Sequence, residues 1–276
     1  MMENGRPTRV YGVDFSGAAN AGTKIWVSSG MVMAGVLHVE DCIRGDRLPN
    51  AGVGRSEALN ALVEFMAQAG ESTFGLDFPF GVPRSLVQAQ DWPSFVLAFP
   101  DRYPGPDDFY HSCHAANGGR EMKRRVDTEA RAPFAAYNVR MYRQTYHGIR
   151  DVLVPLVSRD AARVLPMQSP MPGRPSVVEV CPASTLKAES LYVSYKHRGE
   201  EYRRARLHIL SELERRGPLQ LTDPRLREAI LDDHQGDALD SVVAAYAVFK
   251  SQPQFGKARA EYSEDCLLEG YIYSGT

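Results

Sequence analysis

Two short apolar runs, Thr8 to Asp14 and Ser72 to Phe78, each bring an aspartate, Asp14 and Asp77, to their C-terminal end. Runs of this length bounded by turn residues read as buried strands. Ser16-Gly17-Ala18 follows the first, and Pro79, Gly81 and Pro83 break the second. Carboxylates at the ends of core strands are costly to desolvate unless something compensates their charge. A fold that buries these two strands therefore needs a cation beside Asp14 and Asp77.

The rest of the chain supplies a sheet and its helices. Lys24 to Ser29 and Met31 to Glu40 are β-prone runs separated by Gly30, which predicts a hairpin continuing from the first strand. Leu59, Leu62, Val63 and Met66 have helical spacing within Ser56 to Ala69, and Gly70 supplies the stop. Ser176 to Cys181 reads as a fifth strand and contains Glu179. Helices are predicted over 184–195, 200–216, 224–231 and about 234–250, with a small closing strand over 269–274. Residues 84–175, rich in Pro, Gly, Arg and aromatics, read as a long helical and loop insertion after strand four, without a core of its own. The expectation is a single α/β domain over 1–276, a mixed five-stranded sheet flanked by helices.

Charge narrows the partners. With 32 Lys+Arg against 34 Asp+Glu, no global positive field draws nucleic acid or an acidic membrane to the chain, so such binding requires a local patch. One exists between Arg120 and Arg150, where eight basic residues face three acidic ones and Phe134, Tyr137, Tyr142 and Tyr146 lie among them. That mixture can grip phosphates and stack unpaired bases. It makes Lys123, Arg124, Arg125, Arg131 and Tyr137 candidate substrate-binding residues and the insertion a candidate substrate arm, the alternative being a solvated helix face over aromatic packing. The four cysteines are widely spaced without a C-x-x-C pair, which signals neither a disulfide framework nor a cysteine-rich zinc site and fits a reducing cytoplasm. Residues 1–7 contain no apolar leader, and no run approaches the roughly 18 apolar residues of a membrane span.

Along the last helix, Asp233, Asp237 and Asp240 fall within an arc of roughly 60°, while Leu239, Val242, Val243, Tyr246 and Phe249 form the packing stripe. Acidic residues at a helix N-terminus also suit the macrodipole, so this cluster alone has a plain structural explanation. Together with Asp14 and Asp77, and with Glu179 if its side chain faces the same end of the sheet, it becomes a set of hard oxygen donors suited to Mg²⁺ or Mn²⁺. Two such ions about 3.5–4 Å apart can clamp an in-line phosphoryl displacement. His234, just before the helix, is a candidate proton shuttle or product-release group, or a structural histidine.

The order of these parts, strand with Asp14, hairpin, helix, strand with Asp77, and a late helix bearing Asp237-x-x-Asp240, resembles the ribonuclease H-like superfamily. More closely, the chain is similar to bacterial domain-of-unknown-function family 429, described as predicted nucleases of that fold. The matching stretches are Tyr11-Gly-Val-Asp-Phe-Ser-Gly17, Gly75-Leu-Asp-Phe-Pro-Phe-Gly-Val-Pro83, Glu179-Val-Cys-Pro-Ala183, His234-Gln-Gly-Asp-Ala-Leu-Asp240 and Glu269-Gly-Tyr-Ile272. Arg125-x-Asp127-x-x-x-Arg131 resembles a further motif of the family. The resemblance implies a ribonuclease H-like sheet and a divalent-metal-dependent nuclease, with Asp14 bridging the ions and Asp77 and Asp237 or Asp240 completing their shells. Nucleic acid, DNA or RNA, would be the partner. Two other readings stay open at this point: a catalytically inactive binding protein on the same scaffold, and a phosphotransferase like the actin and sugar-kinase group, which Asp14-Phe-Ser-Gly17 permits.

Overall fold

The computed structural model describes residues 8–216 and 218–275. Residues 1–7, read above for a leader, lie outside them. In chain order the elements are β1 (Thr8–Asp14), β2 (Trp26–Met33), β3 (Val36–Arg44), α1 (Arg55–Gln68), β4 (Ser72–Leu76), α2 (Trp92–Arg102), α3 (Pro106–Ala116), α4 (Arg125–Glu129), α5 (Tyr142–Gly148), α6 (Val154–Ser158), β5 (Arg163–Leu165), β6 (Ser176–Glu179), α7 (Pro182–Ala188), α8 (Glu200–Arg215), β7 (Leu219–Leu221), α9 (Pro224–Asp232), α10 (Asp237–Ser251) and α11 (Glu264–Glu269). The strands form one mixed seven-stranded sheet in the order β5-β6-β4-β1-β2-β3-β7, in which β2 runs against the others. The five expected strands are its centre, and the three-residue strands β5 and β7 extend its two edges. Strands that short carry too few residues for an alternating pattern to show in the sequence.

Period-2 alternation sorts the strand residues between two apolar layers. Tyr11, Val13, Phe74 and Leu76 face the layer built by α1 and the segment 84–175, while Val10 and Val178 face the layer of α8, α9 and α10. Segment 84–175 is no detached arm. Its Phe95, Phe99, Tyr103, Phe109 and Tyr146 stack on one another inside the same core as α1 and the central strands.

Three local expectations are corrected. The β2–β3 turn falls at Ala34-Gly35, both at positive φ (50° and 77°), as a two-residue hairpin of the primed kind requires. Gly30 instead sits inside β2 at a register shift, where a Cβ would come within 2.5 Å of the His38 carbonyl oxygen. The helix expected over 184–195 ends at Ala188, with Ser190 at φ 58° and no regular structure from there to Gly199. The closing strand over 269–274 is reduced to one parallel bridge between Glu179 and Ile272. Among the described residues no helix is long and apolar enough to cross a membrane.

Candidate functional site

The parallel register aligns Val13 with Leu76 and Leu76 with Glu179, so Asp14 and Asp77 stand level with each other at the carboxyl ends of β1 and β4. Glu179, at the end of β6, lies one residue short of them and, by strand alternation, on the opposite face. In open α/β sheets that end is where ligand crevices form. Two glycines decide what else reaches it. Gly12 and Gly75 are register partners on the face that meets α10. A Cβ on Gly12 would lie 2.1 Å from Ala245 N and from Ser241 O, and one on Gly75 would lie 2.5 Å from Val248 Cγ2. The helix therefore rests directly on the strand backbones. Asp14 and Asp77, each two residues beyond its glycine, emerge on that same face beside the first turn of α10.

There they meet Asp237 and Asp240. One carboxylate oxygen from each of Asp14, Asp237 and Asp240 lies within 4.8 Å of the others. These aspartates and Asp77 line a cleft of about 670 Å³. Asp14 is 8 % exposed and Asp240 3 %. Among the described residues no hydrogen-bond donor engages the carboxylate of Asp14 or Asp77; the Asp77 backbone is held by its N–H to Val13 O (3.0 Å) and by Gln144 Nε2 to its carbonyl (2.5 Å). Burial, with Asp240 and Asp237 nearby, pushes the Asp14 carboxyl well above the usual range. Burial and Asp240 push Asp77 up to about 8. Burial raises Asp237 as well.

The countercharge is Lys196, whose Nζ lies 2.5 Å from Asp240 Oδ2 and 3.5 Å from Asp237 Oδ1. Burial opposes its charge, but Asp240 and Asp14 outweigh that and hold the ammonium above its ordinary value. Tyr195 donates its hydroxyl to Asp240 Oδ1. The peptide that carries both residues is fixed by buried Arg206 of α8, which donates to Tyr195 O (2.7 Å), His197 O (3.4 Å) and Leu231 O (3.0 Å). Sequence reasoning missed Lys196 and Tyr195, because it placed Tyr195 at the end of a helix over 184–195 and Lys196 in the connection to the next helix. It also missed a legible signal, the recurrence of Gly-x-Asp at the ends of β1 and β4.

Other candidates fall elsewhere. Asp233 precedes α10 and caps it, accepting from Ala238 N (2.9 Å) and Gln235 N (3.2 Å). His234 sits in the same turn, outside the residues lining the cleft, and its carbonyl accepts from His197 N. His197 is the histidine that lines the cleft. Both oxygens of Glu179 are engaged by Arg124, at 2.5 and 2.9 Å, and Oε2 also accepts from Phe80 N. Glu179 is thus the partner of an arginine and stands apart from the aspartate group.

In the basic segment, the substrate-binding expectation is corrected at Arg124 and Tyr137, which are buried, while Lys123, Arg125 and Arg131 are exposed. Arg124 is fully buried and also makes a multidentate pair with Asp127. Tyr137 is fully buried, its hydroxyl accepting from Met122 N and donating to Arg120 O. Lys123 Nζ donates to Ala132 O, and Arg125 pairs with Glu129 and Asp265. Arg131 has φ 54° and offers its carbonyl to Lys187. Of these five, Arg124 lines the cleft. From the same segment, exposed Arg140 stacked over Phe134 at 5.5 Å also lines it; Phe134 belongs to the aromatic set read from the sequence, whereas Arg140 is not among the five candidates. Compared with known proteins, the chain matches no family model, no curated protein and no solved structure.

Proposed function

We propose that the cleft holds a divalent cation, Mg²⁺ or Mn²⁺, and that the protein hydrolyses phosphodiester bonds of nucleic acid. One observation carries this reading: buried Asp14 and half-buried Asp77 receive no hydrogen bond on their carboxylates from the described residues, they stand beside Asp237 and Asp240 in one cleft, and Lys196 pairs with the latter two alone. Carboxylates so placed either hold protons or need more positive charge than Lys196 provides, and a bound cation supplies that charge. The donors are all hard oxygens, the set that magnesium and manganese prefer and that zinc or copper sites seldom use alone. A bound ion of this kind polarises a phosphoryl group and activates water.

The chain's own residues supply the rest. Asp14, Asp237 and Asp240 bind the cation, and Asp77 adds charge from the neighbouring strand. Tyr195 fixes the rotamer of Asp240 through its hydroxyl. Arg140 and Phe134 at the rim offer a phosphate contact and a stacking face. Support for the ribonuclease H-like reading, and for the resemblance to family 429, comes from the central strand order β3-β2-β1-β4-β6 with Asp14, Asp77 and Asp237-x-x-Asp240 converging at one end.

The test is calorimetric titration of Mn²⁺ and Mg²⁺ into wild type and Asp14→Asn, alongside a cleavage screen over single-stranded, duplex, hybrid and branched substrates. Metal binding and metal-dependent cleavage in wild type, both lost in a variant with unchanged circular dichroism and melting, are the expected result. Cleavage that persists in Asp14→Asn, or a wild type that neither binds metal nor cleaves, overturns the proposal.

A further inference from the structure

Both carboxylate oxygens of Asp240 are already occupied, Oδ1 by the Tyr195 hydroxyl and Oδ2 by Lys196 Nζ at 2.5 Å. The same ammonium reaches Asp237 Oδ1 at 3.5 Å, so it touches two of the three carboxylates whose oxygens cluster within 4.8 Å. A divalent cation coordinated by that triad would share Asp240 with an ammonium 2.5 Å from its Oδ2, and the repulsion between the two positive charges favours moving the lysine away. The backbone cannot make room: Arg206 and the His197 N–His234 O bond pin residues 195–197, and a Cβ on Gly236 would lie 3.0 Å from the Tyr195 ring and 3.1 Å from Lys196 Cγ. The side chain can. It is 48 % exposed, lines the cleft and carries its charge on a flexible four-carbon stem.

Resting on the metal-site reading above, we propose that Lys196 is a tethered cation that keeps Asp237 and Asp240 paired until a divalent ion displaces it, and that its freed ammonium then binds the substrate phosphate. Metal and substrate binding are coupled through this one side chain. A displaced ammonium that has lost Asp240 gains an anionic partner when a phosphate enters the cleft, so each ligand tightens the other by the same factor.

The experiment is calorimetric titration of Mn²⁺ into wild type and Lys196→Met, each with and without saturating adenosine 3′,5′-bisphosphate as the anionic probe. Without nucleotide, the variant should bind Mn²⁺ about tenfold tighter than wild type, within the usual range of coupling between two sites. Nucleotide should tighten Mn²⁺ binding to wild type by a similar factor and to the variant by clearly less. Melting scans supply a second measurement should the variant lose stability: its melting temperature should rise more on Mn²⁺ addition than that of wild type. Equal or weaker Mn²⁺ binding by the variant, while wild type binds, overturns the displacement and leaves the metal site standing. Equal tightening by nucleotide in both proteins overturns the coupling. No Mn²⁺ binding by either protein overturns the metal site itself, and this proposal with it.

Discussion

Two clusters of buried charge lie at the same end of the sheet and differ in how they are compensated. Around Arg124, two carboxylates, Asp127 and Glu179, receive hydrogen bonds on every oxygen, and the guanidinium also donates to the Glu269 carbonyl. Around Lys196, four carboxylates share one ammonium and a tyrosine hydroxyl, while two of them receive no donor from the described residues. The first cluster ties α4, β6 and the end of α11 together and needs no further partner. The second is held in place by packing that has nothing to do with charge, the contact of α10 on Gly12 and Gly75. Protein interiors rarely keep ionic groups short of partners unless the deficit serves a function. The contrast therefore separates a structural clasp from a binding site more sharply than residue type does, since Asp77 and Glu179 stand on adjacent strands only one residue apart in register.

Removing the countercharge from the first cluster should turn it into an exaggerated form of the second. Arg124→Met leaves Asp127 and Glu179 enclosed without their cation, and breaking a buried pair from one side costs about 3–5 kcal/mol. Urea denaturation at neutral pH should read that loss, with part of it recovered in Arg124→Met/Glu179→Gln. If Arg124→Met proves no more costly than Asp77→Asn, the distinction between the clusters collapses.

The second cluster should respond to pH in the opposite sense to an ordinary salt bridge. Asp77 titrates near 8 in the folded protein, against about 3.9 in an unfolded chain. A carboxyl raised on folding contributes stability that is fully present below the unfolded value and is lost as pH rises through the folded one. Wild type should therefore weaken between pH 5 and 8, by up to about 1.4 kcal/mol per pH unit for each proton concerned. Asp77→Asn should flatten the profile, and saturating Mn²⁺ should flatten it in wild type, because a bound cation replaces the protons. Denaturation series at several pH values, with and without Mn²⁺, check both. A wild-type profile that stays steep in saturating Mn²⁺ would mean that the ion does not sit among these carboxylates.

How much of this was written in the chain follows the same division. The strands that end on Asp14 and Asp77, and the late Asp-x-x-Asp helix, were legible because local periodicity and turn residues fix them within a few positions. Glu179 was legible as a strand residue but not in its role, since its partner Arg124 lies 55 residues away and nothing local distinguishes it from Asp77. Arg124 and Tyr137 were misread for the complementary reason. A basic, aromatic stretch has the same composition whether its side chains face solvent or fold inward, and long-range packing decides which. Lys196 was lost because a left-handed Ser190 stops α7, and a single residue of that conformation leaves little trace in hydrophobic spacing.

Gly12→Ala probes the packing that assembles the second cluster. Its Cβ would fall 2.1 Å from two backbone atoms of α10, so the helix must move off the sheet. Overpacking of this kind costs about 1–3 kcal/mol. Because the helix carries Asp237 and Asp240 with it, Mn²⁺ affinity should fall although no ligand has changed. A full loss of stability with unaltered affinity would show that the carboxylates do not depend on this contact for their spacing.

The smallest effect belongs to Tyr137→Phe, and it tests whether the segment around the first cluster is scaffold. The hydroxyl bridges Met122 N and Arg120 O inside the core, so its removal should cost about 1 kcal/mol, the worth of a buried hydrogen bond. The affinity for a labelled oligonucleotide should not change, since the ring reaches no solvent. Arg140→Ala makes the reciprocal case. Its exposed guanidinium at the cleft should contribute a phosphate contact, so the variant should keep its stability and show weaker binding with a shallower salt dependence. Weakened oligonucleotide binding by Tyr137→Phe without loss of stability would reverse the assignment, because a tyrosine that matters for binding and not for folding belongs to a substrate arm.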